Sequence, residues 1–375
     1  ALCDQIWAVV TGGWISTATE DRTMNLIELS QNLASWLCGG DDADGIVVSC
    51  RTRLARNLTA KPFAQKASEE DEREVIERVL TAARRIGSMR DAAFFKMDAL
   101  EASDRRLLVE RHLVSPALAE SKGQRGVLFN ADESLSVMIN EEDHLRLQAI
   151  LPGLSSEKAW SSINTLDDQL GAGLDFAYSE KYGYLTACPT NTGTGLRVSV
   201  LMHLPALVLT EDIERVLRGL TQMSFTARGV YGEGTNAVGN LFQVSNQGTL
   251  GHKEEDIVES LSKLAEKLVE YERDAQETLC KEAHNQVEDK IWRAYGILSN
   301  ARVLSSQEFM NLLSAVRLGY SLSMVPSVTS AFMNQLMIIT QPSHLQAEAG
   351  RRLKADERDV IRASLVRRRL QEIKD

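Results

Sequence analysis

The chain has 375 residues, 43% of them hydrophobic, enough for a large core and two domains. A balance of 42 Lys+Arg against 52 Asp+Glu leaves a formal net charge of −10, which argues against general nucleic-acid binding and makes any anion site a local exception. The cysteines Cys3, Cys38, Cys50, Cys188 and Cys280 are odd in number and lack Cys-x-x-Cys spacing, so neither a disulfide framework nor a zinc ribbon is indicated, and a reducing cytoplasm fits.

Residues 1–23 carry Asp4 without a basic region, so they are expected to be a disordered extension rather than a secretory signal, and no apolar run approaches membrane-span length. A short helix is expected over 25–37, ended by Gly39-Gly40-Asp41-Asp42, and a strand over 45–48. The block Ser49-Cys50-Arg51-Thr52-Arg53-Leu54-Ala55-Arg56 would then follow that strand. Helical spacing covers 69–86 and 104–113, whereas 126–130 and 135–139 read as a hairpin that delivers Asn140-Glu141-Glu142-Asp143-His144-Leu145-Arg146 at its exit. Helical pieces are expected near 145–151 and at 156–170, then a strand at 184–187 and a long apolar stretch over 196–209. From Glu254 onward the pattern is almost wholly helical, with Ile257, Leu261, Leu264 and Leu268 on one face and a capping box, Ser305-Ser306-Gln307-Glu308, opening a later helix. Strands recur between helices without a βαβ rhythm, so the reading is an α+β fold with a mainly antiparallel sheet flanked by helices. A boundary is placed near 249–253, giving a catalytic domain over 24–250 and a helical C-terminal domain over 251–375.

Chemistry concentrates in Cys188-Pro189-Thr190-Asn191-Thr192-Gly193-Thr194-Gly195-Leu196-Arg197, which sets a thiol, a polar turn, two glycines and a cation within one short stretch. Arginines recurring across blocks suggest a polyphosphate ligand, because guanidinium forks match phosphate oxygens bidentately and stay charged. Singly, each block also admits a bland account: surface ion pairs, a solvated acidic turn, a buried cysteine.

Taken in order, these blocks resemble the signatures of the phosphagen (guanidino) kinase family. The likeness runs from about Ser49 to Asn246 and includes Arg228-Gly229, Tyr231-Gly232-Glu233-Gly234 and Gly239-Asn240-Leu241-Phe242-Gln243-Val244-Ser245-Asn246. It implies the guanidino kinase catalytic fold and transfer of the ATP γ-phosphoryl group to a guanidinium nitrogen, with Mg2+ bridging phosphates and held mainly through ATP. By resemblance Arg51, Arg53, Arg146, Arg197 and Arg228 clamp the nucleotide phosphates, with Ser49 and His112 as further ATP contacts; neutralising charge on the transferring group is the main demand of such a reaction. A guanidinium has a pKa above ~12.5, so freeing a proton at pH 7 costs roughly 8 kcal/mol and a carboxylate must help. Glu142 matches the family's principal carboxylate, and Glu233 a loop glutamate of arginine-specific members, where creatine-specific members carry an apolar residue. Cys188 matches the family's reactive cysteine, whose thiolate would lie beside the acceptor.

Two departures narrow the reading. Only 48 residues precede Ser49, where kinases of free arginine or creatine carry a helical N-terminal domain, so the acceptor site is expected to lie open to an arginine on a protein surface. The segment 350–375 holds nine basic and five acidic residues, a local +4. Within it, Arg358-Asp359-Val360-Ile361-Arg362-Ala363 is similar to the RDxxRA signature of bacterial protein-arginine kinases. That likeness implies an allosteric phosphoarginine pocket formed by Arg358, Asp359 and Arg362, and the i, i+4 spacing puts both arginines on one helix face. Composition alone would make it a solvated basic face. Where many relatives have a histidine after the GTGLR block this chain has Leu201, with His203 nearby, so the adenine and ribose contacts stay open. The resemblance thus implies an ATP-dependent protein-arginine kinase serving stress control and Clp-type degradation; the alternatives are a free-arginine kinase or a non-catalytic phosphoarginine-binding regulator. Implied partners are proteins with exposed arginines, a zinc-containing activator protein and the Clp protease system, with a homodimer or higher oligomer in the cytoplasm and no nucleic acid or membrane.

Overall fold

The structure is a computed structural model that describes residues 29–30, 32–39, 44–229, 237–325 and 327–373. Its strands are β1 (Val47–Arg56), β2 (Ala93–Lys96), β3 (Gly126–Phe129), β4 (Leu135–Ile139), β5 (Leu145–Pro152), β6 (Tyr178–Ser179), β7 (Gly183–Tyr184), β8 (Leu196–His203), β9 (Phe225–Gly229) and β10 (Leu241–Asn246). Eight of them form one sheet in the order β2-β3-β4-β5-β1-β8-β10-β9, antiparallel at every pairing, and β6-β7 form a separate hairpin.

The strand expected over 45–48 is in fact long and contains the whole arginine block, so these arginines lie on the central strand rather than after it. The helix expected near 145–151 is instead β5. Leu145, Leu147 and Ala149 alternate with Arg146 and Gln148, a two-residue period that β1 and β4 capture from either side. Near the beginning, the described residues show Leu29 and Ser30 in helical conformation and a tight 3-10 turn at Ser35–Leu37 that buries Trp36. The strand expected at 184–187 shortens to Gly183–Tyr184.

One face of the sheet carries Leu54, Leu147, Val198 and Val244 and is covered by helices Glu69–Ala83, Ser156–Gly171 and Glu254–Glu282. The first of these starts at Ser68, whose hydroxyl accepts from Asp71 N–H in a reciprocal capping box. The last buries Ile257, Leu261, Leu264 and Leu268 in this same core, so the boundary expected near 249–253 falls short. The first core continues to the break at Ala283, after which helices His284–Asn300, Ser306–Ser321, Ser330–Ile339 and Ala355–Glu372 build a second core. Ser305 caps the second of these by accepting from Glu308 N–H at 3.2 Å. This second core also takes in Val48, Ile150, Leu201 and Leu241 from the opposite face of the sheet, so the helical region covers one end of that face. Among the described residues no helix is long and apolar enough to cross a membrane.

Arg56 breaks the two-residue parity of Arg51 and Arg53 and turns to the helix-covered side. Its Nε and Nη2 donate to Asp167 at 3.0 and 2.7 Å, Nη1 donates to Thr194 O at 2.8 Å, and its guanidinium lies 3.5 Å from the Tyr184 ring centroid. Burial raises the Asp167 carboxyl, with Arg56 opposing that rise. Asp167→Ala is expected to strand a buried guanidinium and to destabilise the chain by about 3–5 kcal/mol, read as a lowered urea midpoint at pH 7. A midpoint unchanged from the parent would show the pair to be dispensable.

Candidate active site

Strand register assembles the cationic cluster. Arg53 sits directly opposite Arg197, Arg51 opposite Ser199 on one side and Ile150 on the other, and Arg146 opposite Ala55, diagonal to Arg53. Gln243 pairs with both Leu201 and Arg228. All five predicted phosphate-clamp arginines therefore project from the face that the first core leaves free. Like charges facing across antiparallel strands destabilise a sheet. Burial, and then the charges of Arg197 and Arg146, push Arg51 down to about 10. Arg53 is lowered by burial and by Arg51, Arg146 and Arg197, with only Glu141 opposing; Arg197 is lowered by burial, Arg228 and Arg146. The buried Nε atoms of Arg51, Arg53 and Arg197 have no hydrogen-bond partner. Desolvated, mutually repelling guanidiniums with idle donors are a receptor for a polyanion.

The glutamate turn divides its labour. Asn140, at φ 60°, donates to Glu72 O and Gln124 O at 2.8 and 2.9 Å. Asp143 accepts from Asn57 Nδ2 at 2.6 Å and from Ala187 N–H at 2.7 Å. His144 accepts Leu58 N–H at Nδ1 and approaches Pro62 O through Nε2 at 2.9 Å, and burial lowers its pKa, which suits a neutral imidazole protonated at Nε2. These three hold the turn, leaving Glu141 and Glu142 for Arg146, at 2.5 Å from Nη1 and 3.3 Å from Nη2. The Glu142 side chain is 35% exposed.

Asp143 thereby ties the glutamate turn to the thiol loop, since Ala187 directly precedes Cys188. Cys188 is half-buried, with Sγ 3.0 Å from Thr190 Oγ1. The loop closes on Thr249, whose hydroxyl lies 3.0 Å from Thr190 O and 2.7 Å from Thr192 O. Gly193 is required there: it sits at φ +115°, and a Cβ would meet Thr249 O at 2.7 Å. Among the described residues every cysteine (Cys38, Cys50, Cys188, Cys280) is a free thiol.

Ser49, Arg51 and His112 line one pocket with Ile150, Ser199, Leu201 and Gln243. Sequence reasoning missed Ser199 and Gln243, which bond to each other at 2.7 Å, although polar residues at strand spacing from Arg197 within an apolar run were a usable signal. His203 does not substitute for the histidine replaced by Leu201, because it is buried with Nε2 2.8 Å from Ser314 Oγ. His112 occupies φ 61° with its ring edge-on to Trp36 at 5.3 Å. Burial, then the Arg51 charge, pushes it down to about 3. An unfolded histidine takes its proton near ~6.5, so this residue's contribution to stability is lost as pH falls from there toward 3. Its ring proton resonance is expected to show no titration between pH 5 and 8; a midpoint in that range would place the ring in water.

Other predicted residues fall differently. Arg228 is exposed at the end of β9, beside the segment 230–236, and Glu233 lies outside the described residues. Arg358 and Arg362 do not share an open face. Arg362 is buried, donating to Thr340 O at 3.0 Å, Leu304 O at 2.8 Å and Asp359 at 2.6 Å, whereas half-buried Arg358 lines a pocket with Arg351, Arg352, Lys354 and the helix Ala102–Glu110. The i, i+4 spacing is real, but Leu304 and Thr340 cover one member.

Residues 74–275 match the family model described as ATP:guanido phosphotransferase, C-terminal catalytic domain, and residues 284–375 match that of the protein-arginine kinase McsB C-terminal domain. The chain belongs to the ATP:guanido phosphotransferase family and is an enzyme of that class. It is 46% identical to the protein-arginine kinase of Halothermothrix orenii over 91% of this chain and 98% of that one. It is 45% identical to the protein-arginine kinase of Moorella thermoacetica with the same two coverages. The crystal structure of lombricine kinase superposes with a TM-score of 0.54 at 25% identity, covering 65% of this chain and 70% of that one. The substrate-free duplicated taurocyamine kinase from Schistosoma mansoni gives 0.57 at 22% identity over 81% of this chain and 44% of that one, a likeness of fold alone.

Proposed function

We propose that the enzyme transfers the γ-phosphoryl group of ATP to arginine side chains of proteins. The observation that carries this is the set of half-buried guanidiniums at Arg51, Arg53 and Arg197, whose buried Nε atoms have no partner, beside a glutamate turn and a thiol loop joined through Asp143. The arginines hold the nucleotide phosphates and spread the charge of the transferring group. Arg146 is shared between Glu141 and Glu142, so phosphate arriving at Arg146 competes for it and releases Glu142 to orient the acceptor and take its proton. Cys188, on the loop that Asp143 ties to the glutamate turn, is read as a second contact for the acceptor guanidinium. Among the described residues no three His, Cys, Asp or Glu side chains converge to hold a metal. Mg2+, carried in on the nucleotide phosphates, would neutralise part of their charge.

A protein acceptor is supported by the relatives' names and by the partial exposure of Glu142 and Cys188. The same reading extends to a phosphoarginine-sensing pocket in which Arg358 faces the ligand while Arg362 and Asp359 brace the helix. It further extends to cytoplasmic stress control through a zinc-containing activator and Clp-type proteolysis, with the enzyme acting as an oligomer. Incubation with ATP and either an unfolded protein or free arginine, read as acid-labile phosphate and by mass spectrometry, tests the central claim. Phosphoarginine on the protein is expected; transfer to free arginine alone would replace this reading with that of a small-molecule kinase.

A further inference from the structure

We propose that the β6-β7 hairpin is a docking platform for the arginine-bearing polypeptide that flanks the target arginine. This rests on the protein-acceptor reading above and deepens it. The hairpin presents two tyrosines to solvent, Tyr178 at 60% and Tyr182 at 48% exposure. Across the hairpin from Tyr178, Tyr184 receives the guanidinium of Arg56 at 3.5 Å from its ring centroid, and Tyr178 packs edge-on against that same ring at 5.3 Å. The aromatic cluster thus already stacks one guanidinium from inside and extends a further ring outward. Planar guanidinium stacks on aromatic faces better than a hydrated ammonium does. Lys181 lies 5.0 Å from the Tyr182 ring centroid, so this outer ring also holds a cation, one that an incoming arginine can displace.

Position and charge make an arginine-rich chain the fitting occupant. Tyr184 and Gly193 exchange backbone hydrogen bonds at 2.7 and 3.2 Å, which welds the hairpin to the thiol loop. A Cβ on Gly183 would meet Gly193 O at 2.5 Å, so the two backbones are in direct contact. Cys188 follows Tyr184 by four positions, a reach of at most ~14 Å, short enough for one extended substrate segment to span both. Asp168 and Glu254 act on Tyr184 as negative charges, Asp167 being already paired with Arg56, and Asp168 and Glu180 are exposed. Those acids favour a cationic partner, and in a chain of net charge −10 they argue against nucleic acid.

The test compares the parent with Tyr178→Ala/Tyr182→Ala and with Tyr178→Phe/Tyr182→Phe. Each is assayed on a short peptide carrying one arginine among glycines and serines, and on the same peptide with two added flanking arginines. The alanine pair is expected to raise KM for the arginine-rich peptide about five- to tenfold, in line with two lost cation–π contacts, and to leave both constants for the single-arginine peptide unchanged. The phenylalanine pair should match the parent, because the ring face is what binds. Equal KM for the arginine-rich peptide in parent and alanine pair overturns the platform. So does an equal fall of kcat with both peptides, which would make the hairpin a prop for the thiol loop. Loss of self-association in sedimentation, with peptide constants intact, would assign the surface to a second copy instead. A parent that phosphorylates free arginine but neither peptide sinks the protein-acceptor reading itself, and the parent alone shows it.

Discussion

Glu142→Gln is expected to lower phosphoryl transfer to protein by about 10²–10⁴-fold while ATP binding stays within about threefold of the parent. The change removes a proton acceptor and keeps nearly the same shape. A guanidinium acceptor gives up its proton only as the N–P bond forms, so the loss should fall on kcat rather than on KM for ATP. The phosphate clamp survives because Arg146 keeps Glu141 at 2.5 Å, and the ion pair that Glu142 makes is with Arg146. Losing one of its two anionic partners should if anything make Arg146 more available to phosphate. Calorimetric titration with ATP and initial rates on an unfolded protein check both halves. Turnover above a tenth of the parent would reassign the proton acceptor to Glu141 or to the 230–236 segment.

Much of the site was legible because charge interrupts apolar strands at a spacing that physics does not favour for structure alone. Arg51, Arg53 and Arg197 stand out in that way, and register then explains why they meet. What stayed hidden was non-local. Leu145 to Leu151 is mixed enough to pass for a helical turn, and only pairing with β1 and β4 makes it a strand. The helical periodicity from Glu254 was read correctly, but nothing local says that Ile257 and Leu261 pack under the sheet rather than in a separate bundle. Arg362 fails for the same reason. Its helix face follows from spacing, whereas the carbonyls of Leu304 and Thr340 that occupy it come from distant segments. Arg56, by contrast, falls off the parity of Arg51 and Arg53, and its structural role could have been read from that alone.

Arg53→Met is expected to stabilise the nucleotide-free chain while lowering kcat by at least about 100-fold, two effects of opposite sign from one substitution. In the folded chain Arg53 is desolvated, stands across from Arg197 and leaves its Nε without a partner. Burial and three neighbouring arginines lower its pKa, so folding disfavours the charged form that prevails at pH 7. Methionine fills similar space without a charge, and replacing such a buried ion commonly stabilises by about 1–3 kcal/mol. The phosphate clamp loses its central fork, so the thermal shift produced by saturating ATP should shrink in the variant. Arg53→Lys separates charge from geometry: it keeps the repulsion and loses the bidentate fork, and is expected to recover little activity and none of the added stability. Thermal unfolding with and without ATP, alongside initial rates, reads all of these. A methionine variant less stable than the parent without nucleotide would show Arg53 to be a structural residue, and the unpartnered Nε donors could no longer be taken as a receptor for polyphosphate.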